Sequence, residues 1–139
     1  ITYPSAEVVV ALHPRSAHKN ANYGDIKCIK GKTSELIRNS HFVITHFSTA
    51  IYTAVYYNKP ILFLKTDLIT RHHDLPYVEK FAELTSSLIL ETTSSIPTQL
   101  EIDIEAYSRF KEDYILQHDT QCLINPVHII LNILSDIIV

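Results

Sequence analysis

Short apolar runs alternate with amphipathic segments along most of this chain of 139 residues. Runs rich in β-branched and aliphatic residues predict strands at 7–12, 26–29, 41–45, 61–64 and 87–91. Apolar residues at three-to-four spacing predict helices at 33–40, from 48–49 to just before Pro60, at 76–84, at 104–118 and finally at 125–139. The remaining polar stretches, 15–25 and 66–75, are predicted to be loops.

The order of these elements indicates the fold class. Strands and helices alternate with short connections, which is typical of a parallel sheet covered by helices. We therefore expect an α/β fold in which a three-layer, Rossmann-like parallel sheet carries helices on both faces. A chain of 139 residues that is 46% hydrophobic can form one compact domain, 1–139. Because it contains no methionine, we expect Ile1 not to be a natural start and the domain to be part of a longer, two-domain protein.

Composition excludes several classes of partner and location. The formal net charge is −3 and Lys and Arg are scattered, so no nucleic-acid-binding face is predicted. Cys28 and Cys122 lie far apart and form no CxxC pair, which favours a reducing compartment. The apolar run at 129–139 is interrupted by polar residues and is shorter than the roughly 20 residues of a membrane span. It is predicted to be a buried or docking helix.

Polar residues directly follow three of the predicted strands. They are His13-Pro14-Arg15 after the first strand, 45–49 after the third and 65–67 after the fourth. In an open parallel sheet, ligands bind in the crevice beyond the carboxyl ends of the strands. We therefore expect these three groups to converge on one rim of the sheet.

The turn from Thr45 to Thr49 is the strongest candidate for a binding site. Thr45 and His46 lead into Ser48 and Thr49, which lie where free backbone N–H groups and the positive end of a helix dipole would attract an anion. Helix capping by either hydroxyl, worth about 1 kcal/mol, is a compatible alternative. The sequence does not show whether the ring of His46 faces the crevice or the core.

His13 is the candidate catalytic residue. Pro14 stiffens the backbone beside it, and a positioned imidazole can donate to a phosphate or stabilise the charge of a leaving group. Arg15 could clamp a phosphate because its guanidinium matches phosphate geometry. The alternatives are a structurally bonded or solvent-exposed ring for His13 and a solvated loop cation for Arg15.

Other familiar sites are missing from the sequence. The adjacent histidines of Arg71-His72-His73-Asp74 lack the spacing of zinc ligands, so no metal site is predicted. With only Gly24 and Gly31, the chain cannot form either glycine-rich phosphate loop, which disfavours dinucleotide dehydrogenases and P-loop enzymes.

The order of the motifs between about residues 8 and 64 resembles the carboxyl-terminal, nucleotide-binding half of GT-B glycosyltransferases. The matching motifs are His13-Pro14, the Ile-Arg-Asn-Ser-His-Phe-Val-Ile-Thr approach at 37–45, Ser48-Thr49 and Lys59-Pro60-Ile61. The nearest kinds are bacterial sialyltransferases, capsule polysaccharide transferases and CDP-glycerol glycerophosphotransferases. Their His-Pro and Ser-Ser/Thr motifs bind the nucleotide of an activated donor such as CMP-sialic acid.

This resemblance implies a donor-binding domain for a CMP- or CDP-linked sugar used in surface or capsular polysaccharide synthesis. His13 and Pro14 would match the His-Pro motif, and Ser48 and Thr49 the hydroxyl pair that holds the donor phosphate. It further implies no resident cofactor or metal, a saccharide acceptor, and a general base in an amino-terminal domain without which the fragment is inactive. Cytoplasmic residence, with peripheral association at the inner face of the membrane, is inherited from the same resemblance.

Two alternatives remain open. Non-hydrolysing UDP-N-acetylglucosamine 2-epimerases share the half-fold and the strand-end His-Pro, but their glycine-rich turn is replaced here by Phe47-Ser48-Thr49. A non-catalytic, flavodoxin-like interaction module would instead need an acidic cluster at the strand ends, where this chain has His and hydroxyl groups.

Overall fold

The computed structural model describes residues 6–15, 24–71 and 73–116. Its strands are β1 Val9–Leu12, β2 Lys27–Lys30, β3 Val43–Thr45, β4 Ile61–Lys65 and β5 Leu88–Glu91. Its helices are α1 Thr33–Asn39, α2 Ala50–Tyr56, α3 Asp67–Arg71, α4 Leu75–Leu84 and α5 Ile104–Tyr114. The predicted helix at 125–139, Cys122, His72 and most of the predicted loop at 15–25 lie outside the described residues.

All strand pairs of the described chain are parallel, which confirms the α/β class. β1 pairs with β2, and β4 lies between β3 and β5 in a second sheet. Helices flank these small sheets, as a parallel architecture requires. Within the described residues, hydrogen bonds do not join the two sheets into one. A three-layer arrangement therefore remains a prediction.

The first strand is more exposed than its apolar sequence predicts. Of the β1 residues, Ala11 is exposed and the other three are half-buried, and Val8 just before them is exposed. A nearly continuous apolar strand predicts burial on both faces of a parallel sheet, and for β1 this prediction was wrong. The physical reason is that, among the described residues, β1 has one strand neighbour, β2, which is itself mostly exposed, so they offer little apolar surface to cover it.

The third helix lies where the sequence predicts a polar loop, so that part of the prediction for 66–75 was wrong. The Thr66 hydroxyl accepts a hydrogen bond from the Ile69 backbone N–H at 3.3 Å and so caps the first turn. Asp67 and Arg71 face each other one turn apart at 4.0 Å. Because α3 has five residues and buries only Ile69, it shows no apolar period that could reveal it.

One hydrophobic cluster holds the described elements together, and every helix contributes to it. From the central strand it takes Ile61 and Phe63, and from α2 it takes Ile51, Ala54 and Val55, as expected for an amphipathic helix. The remaining members come from the other helices: Ile37, Ile69, Val78, Phe81, Ala82, Tyr107 and Phe110. In the part of the chain that the structure describes, no helix is long and apolar enough to cross a membrane.

The turn between α2 and β4 is clasped from two sides. The Tyr107 hydroxyl of α5 donates to the Lys59 carbonyl at 2.9 Å, and Lys111 Nζ donates to Asn58 Oδ1 at 2.7 Å. Lys59 Nζ donates in turn to the Ser40 carbonyl at 2.8 Å, beyond the end of α1. These contacts span up to 53 residues of sequence, so α5 fixes the position at which β4 enters its sheet.

Asp103→Ala is expected to destabilise α5 at neutral pH. Asp103 Oδ1 accepts from the Ala106 backbone N–H at 2.9 Å, and this bond, followed by one from Ser86, holds the pKa of the carboxyl below its ordinary value. The stability it contributes is present above the unfolded pKa of about 4 and is lost as the pH falls through the folded value. The wild-type and variant unfolding curves in urea should thus differ at pH 7 and converge in acid.

The matched control for that experiment is Asp113→Ala in the last turn of α5. A carboxylate there opposes the helix dipole, so its removal should cause no loss of stability. Equal losses from the two variants would contradict a capping role for Asp103.

Candidate functional site

The end of β1 presents His13, Pro14 and Arg15, all exposed. The Arg15 backbone N–H donates to His13 Nδ1 at 3.1 Å. Because Nδ1 acts as the acceptor, the neutral ring carries its proton on Nε2. This short turn therefore fixes the tautomer of the ring and leaves Nε2–H as its donor towards solvent.

The end of β3 repeats this arrangement with a second histidine. The ring of His46 is exposed, which shows that it does not face the core, and its Nδ1 accepts from the Phe47 backbone N–H at 2.8 Å. Thr45 is the last residue of β3 and lies beside Phe63 of β4 in the ladder. Two strand-end histidines are thus held in the same tautomer by the backbone that follows each strand.

The two hydroxyl residues that follow have different surroundings. Ser48 Oγ accepts from the Ala50 backbone N–H at 3.2 Å, so its side chain caps α2. Thr49 is exposed, and its side chain makes no capping hydrogen bond. Ser48 therefore positions the turn, whereas the exposed Thr49 hydroxyl takes no part in capping. Since α2 has only seven residues, the anion-attracting contribution of its dipole is confined to this first turn.

A shallow cleft of about 220 Å³ opens beside this turn. It is lined by Phe47, Ser48, Thr49, Tyr52 and Phe81. Two of these residues, Ser48 and Thr49, are predicted from the sequence, whereas the three aromatic ones are not. Tyr52 lies four residues after Ser48, a spacing that within a predicted helix beginning at 48–49 places two side chains on one side and could have indicated it. Phe81 comes from α4, and no local pattern connects it to the turn.

The aromatic rings form the floor of the cleft. The ring of Phe47 stacks on that of Tyr77 at a centroid distance of 5.2 Å and lies 5.9 Å from that of Phe81. The Tyr52 hydroxyl is buried with no hydrogen-bond partner among the described residues, and burial, followed by the effect of Tyr114, raises its pKa. The site therefore combines an apolar, ring-shaped floor with a polar edge at Ser48 and Thr49.

The third predicted strand end has a structural role. Lys65 Nζ forms an ion pair with Glu91 of β5 at 3.5 Å, and Thr66 caps α3. In the described part of the chain, no hydrogen bond or ion pair connects this end to the His13 group or to the turn at 45–49. The structure thus brings 47–49 together with two aromatic residues, Tyr52 and Phe81, and shows His13-Pro14-Arg15 as an exposed group that no hydrogen bond or ion pair of the described residues joins to them.

Metal-binding side chains do not gather in the described residues. No three of their His, Cys, Asp or Glu side chains come close enough to hold an ion. Within the segment 71–74, Arg71 forms an ion pair with Asp67 on α3, and His73 lies in the turn before α4. Cys28 on β2 is an exposed free thiol.

The candidate functional features of the described residues are thus His13, His46 and the cleft beside the turn at 47–49. A scan against models of known protein families, a search of curated proteins and a search of solved structures each find no match to this chain.

Proposed function

We propose that this chain is the donor-nucleotide-binding domain of a glycosyltransferase that uses a CMP- or CDP-linked sugar for surface or capsular polysaccharide synthesis. The observation that carries the proposal is the shared state of His13 and His46. Each accepts a backbone hydrogen bond at Nδ1 and offers Nε2–H at the carboxyl end of a parallel strand. Paired imidazole donors at strand ends suit the phosphates of an activated donor.

The proposal includes a finer fold, a three-layer Rossmann-like sheet of order β2-β1-β3-β4-β5. In the described chain, β1 and β3 each have one edge without a strand partner, so this order would need only the pairing of those edges. The strand order would then reverse between β1 and β3, which is where such sheets bind ligands. His13 and the turn at 45–49 would lie on either side of that crevice.

The residues would act on the charge that develops during transfer. As the bond between sugar and phosphate breaks, negative charge grows on the departing nucleotide. Nε2–H of His13, with Arg15, the Thr49 hydroxyl and Nε2–H of His46, would stabilise that charge without a metal ion. The general base and the saccharide acceptor would come with an amino-terminal domain, so the fragment alone would bind a donor and not turn it over.

The aromatic floor supports the same assignment. Phe47, Tyr52 and Phe81 offer flat apolar surface next to the hydroxyl edge, which suits the face of a sugar or base ring attached to a phosphate. A transferase of this kind would act in the cytoplasm, with peripheral association at the inner face of the membrane, where a polysaccharide acceptor is extended.

His13→Ala and His46→Ala are expected to weaken binding of CDP by about 1.5–3 kcal/mol each, roughly tenfold or more, because each removes a hydrogen bond to a charged phosphate. Isothermal titration calorimetry with CMP, CDP, UDP, GDP and cytidine measures this. Binding of cytidine, which lacks phosphate, should be weak and should respond little to either substitution.

His41→Ala is the matched control, because His41 is exposed and precedes β3, at the opposite end of the strand from His46. It should leave CDP binding unchanged. The proposal fails when no nucleotide binds at millimolar concentration, or when His41→Ala weakens binding as much as the strand-end variants. A clear preference for UDP over CMP and CDP would instead favour the epimerase-like alternative.

A further inference from the structure

The three-stranded sheet has two different faces. Side chains alternate along a strand, and from β4 the hydrophobic cluster takes Ile61 and Phe63, which share one face. Leu62 projects from the other face and does not belong to that cluster. The ladder places Ile44 of β3 and Leu88 of β5 on either side of Leu62. These three residues form a row across the sheet, which we call the second-face row.

The second-face row is apolar and incompletely covered. Leu62 at its centre is fully buried, yet Ile44 is 41% and Leu88 54% exposed. All five described helices contribute to the cluster on the face of Ile61 and Phe63. Parallel sheets are normally covered on both faces, because each face buries apolar side chains. The described residues thus leave the flanks of this row available for another apolar element.

The same chain contains an element of matching chemistry. In the sequence 127–139, the polar residues are His128, Asn132, Ser135 and Asp136, and every other residue is Val, Ile or Leu. At 3.6 residues per turn, these four polar positions fall within about 100° of a helix circumference. A helix here would have one narrow polar stripe and a broad aliphatic face.

Chain length allows this segment to reach the second-face row. The last described residue is Leu116, just after α5, and eight residues, 117–124, separate it from the predicted helix at 125–139, which contains these positions. Extended chain spans about 3.3 Å per residue, so eight residues reach roughly 26 Å, more than twice the diameter of a helix. That is sufficient to pass from the helix layer around an edge of the sheet to its other face.

We propose that residues 125–139 of this chain pack as an amphipathic helix across the second-face row, with Ile44, Leu62 and Leu88 under their aliphatic face. The contact is apolar on both sides, since the row carries no charge and the only formal charge within 127–139 is Asp136 on the polar stripe. This helix would supply the third layer of the domain. The inference does not depend on the identity of the ligand that binds at the strand ends.

Disulfide cross-linking within the full chain tests the contact. In a Cys28→Ser, Cys122→Ser background, Leu88→Cys is combined with a cysteine at each of positions 128–138 in turn, under mild oxidation at low protein concentration. Packing predicts intramolecular cross-links that recur every three or four residues and are weak at 128, 132, 135 and 136. At the favoured positions the rate should exceed that of the control by about tenfold or more, because docking raises the effective concentration of the two thiols.

The control is the same scan with Ile104→Cys, since Ile104 begins α5 and is 71% exposed. Leu88 is itself exposed, so neither cysteine should disturb folding, and circular dichroism verifies this for each variant. The proposal is overturned if the rates of cross-linking to Leu88→Cys equal those of the control. It is also overturned if these rates do not vary along the segment. Cross-links found only between two molecules overturn it as well, because they would show that a second copy covers the row.

Discussion

Phe81→Ala is expected to lower the free energy of unfolding by about 3–5 kcal/mol, the range for removing a large aromatic side chain from a core. Phe81 is buried at the centre of an aromatic group, with ring centroids of Phe47, Tyr52 and Phe110 at 5.9, 6.0 and 6.2 Å. Truncation would leave a cavity among rigid rings that cannot collapse easily. Urea unfolding followed by circular dichroism measures the loss.

Two further variants serve as controls for the loss of stability in Phe81→Ala. Phe81→Leu keeps most of the apolar volume and should lose less stability than Phe81→Ala. Leu68→Ala, at an exposed position on α3, should change stability little. A loss below about 1 kcal/mol for Phe81→Ala would contradict the described packing, because that is well under the cost of emptying a buried aromatic site. Because Phe81 also lines the cleft, the variant should bind nucleotide more weakly.

Tyr107→Phe is expected to lower the free energy of unfolding at pH 7 by about 1–3 kcal/mol, because the Lys59 carbonyl loses its donor. The hydroxyl bond of 2.9 Å connects α5 to the turn before β4. The ring itself is buried and remains in the variant, so the change isolates the hydrogen bond. Tyr56→Phe is the matched control, because Tyr56 is exposed on α2 and its hydroxyl has no such buried role.

The same substitution should also change the stability of the protein in alkali. Burial raises the pKa of Tyr107 from 10 to about 12. Above pH 10 the unfolded chain loses this proton and the folded chain keeps it, so stability is intact below pH 10 and falls as the pH rises towards 12. Two pKa units correspond to about 2.7 kcal/mol.

The measurement is urea unfolding of the wild type and of Tyr107→Phe at several pH values between 8 and 12. The wild type should lose stability more steeply than Tyr107→Phe above pH 10. Part of the alkaline loss should remain in the variant, since burial also raises the pKa of Tyr52. Parallel curves for the two chains would contradict the assignment of the alkaline loss to Tyr107.

Local patterns predict most of the elements of this fold. The β-branched and aliphatic runs mark all five described strands, and the run at 61–64, which has no polar residue, forms β4 in the middle of the three-stranded sheet. The α2 residues Ile51, Ala54 and Val55 are buried as expected, because residues three or four positions apart lie on the same side of a helix. Such signals depend on only a few neighbouring residues.

Other features depend on partners distant in sequence. The exposure of β1 follows from how few of the described elements cover it, and α3 is held to the hydrophobic cluster by its one buried residue, Ile69. Of the candidate site, the strand-end residues follow from the local pattern. The floor supplied by Phe81 requires α4 to pack beside α2, and the chain between them carries no signal of that contact.

By itself, the sequence determined the β/α alternation, the parallel pairing that helical crossovers between strands favour, and the presence of His13 and of 45–49 at strand ends. Only the tertiary structure decided that the ring of His46 is exposed, that Phe81 of α4 lies beside the turn at 47–49, and that Tyr107 and Lys111 clasp the turn before β4. The physical reason is the separation along the sequence of the residues that interact. Periodicity and capping arise between residues a few positions apart, whereas burial and side-chain hydrogen bonds are set by whichever elements the folded chain brings together.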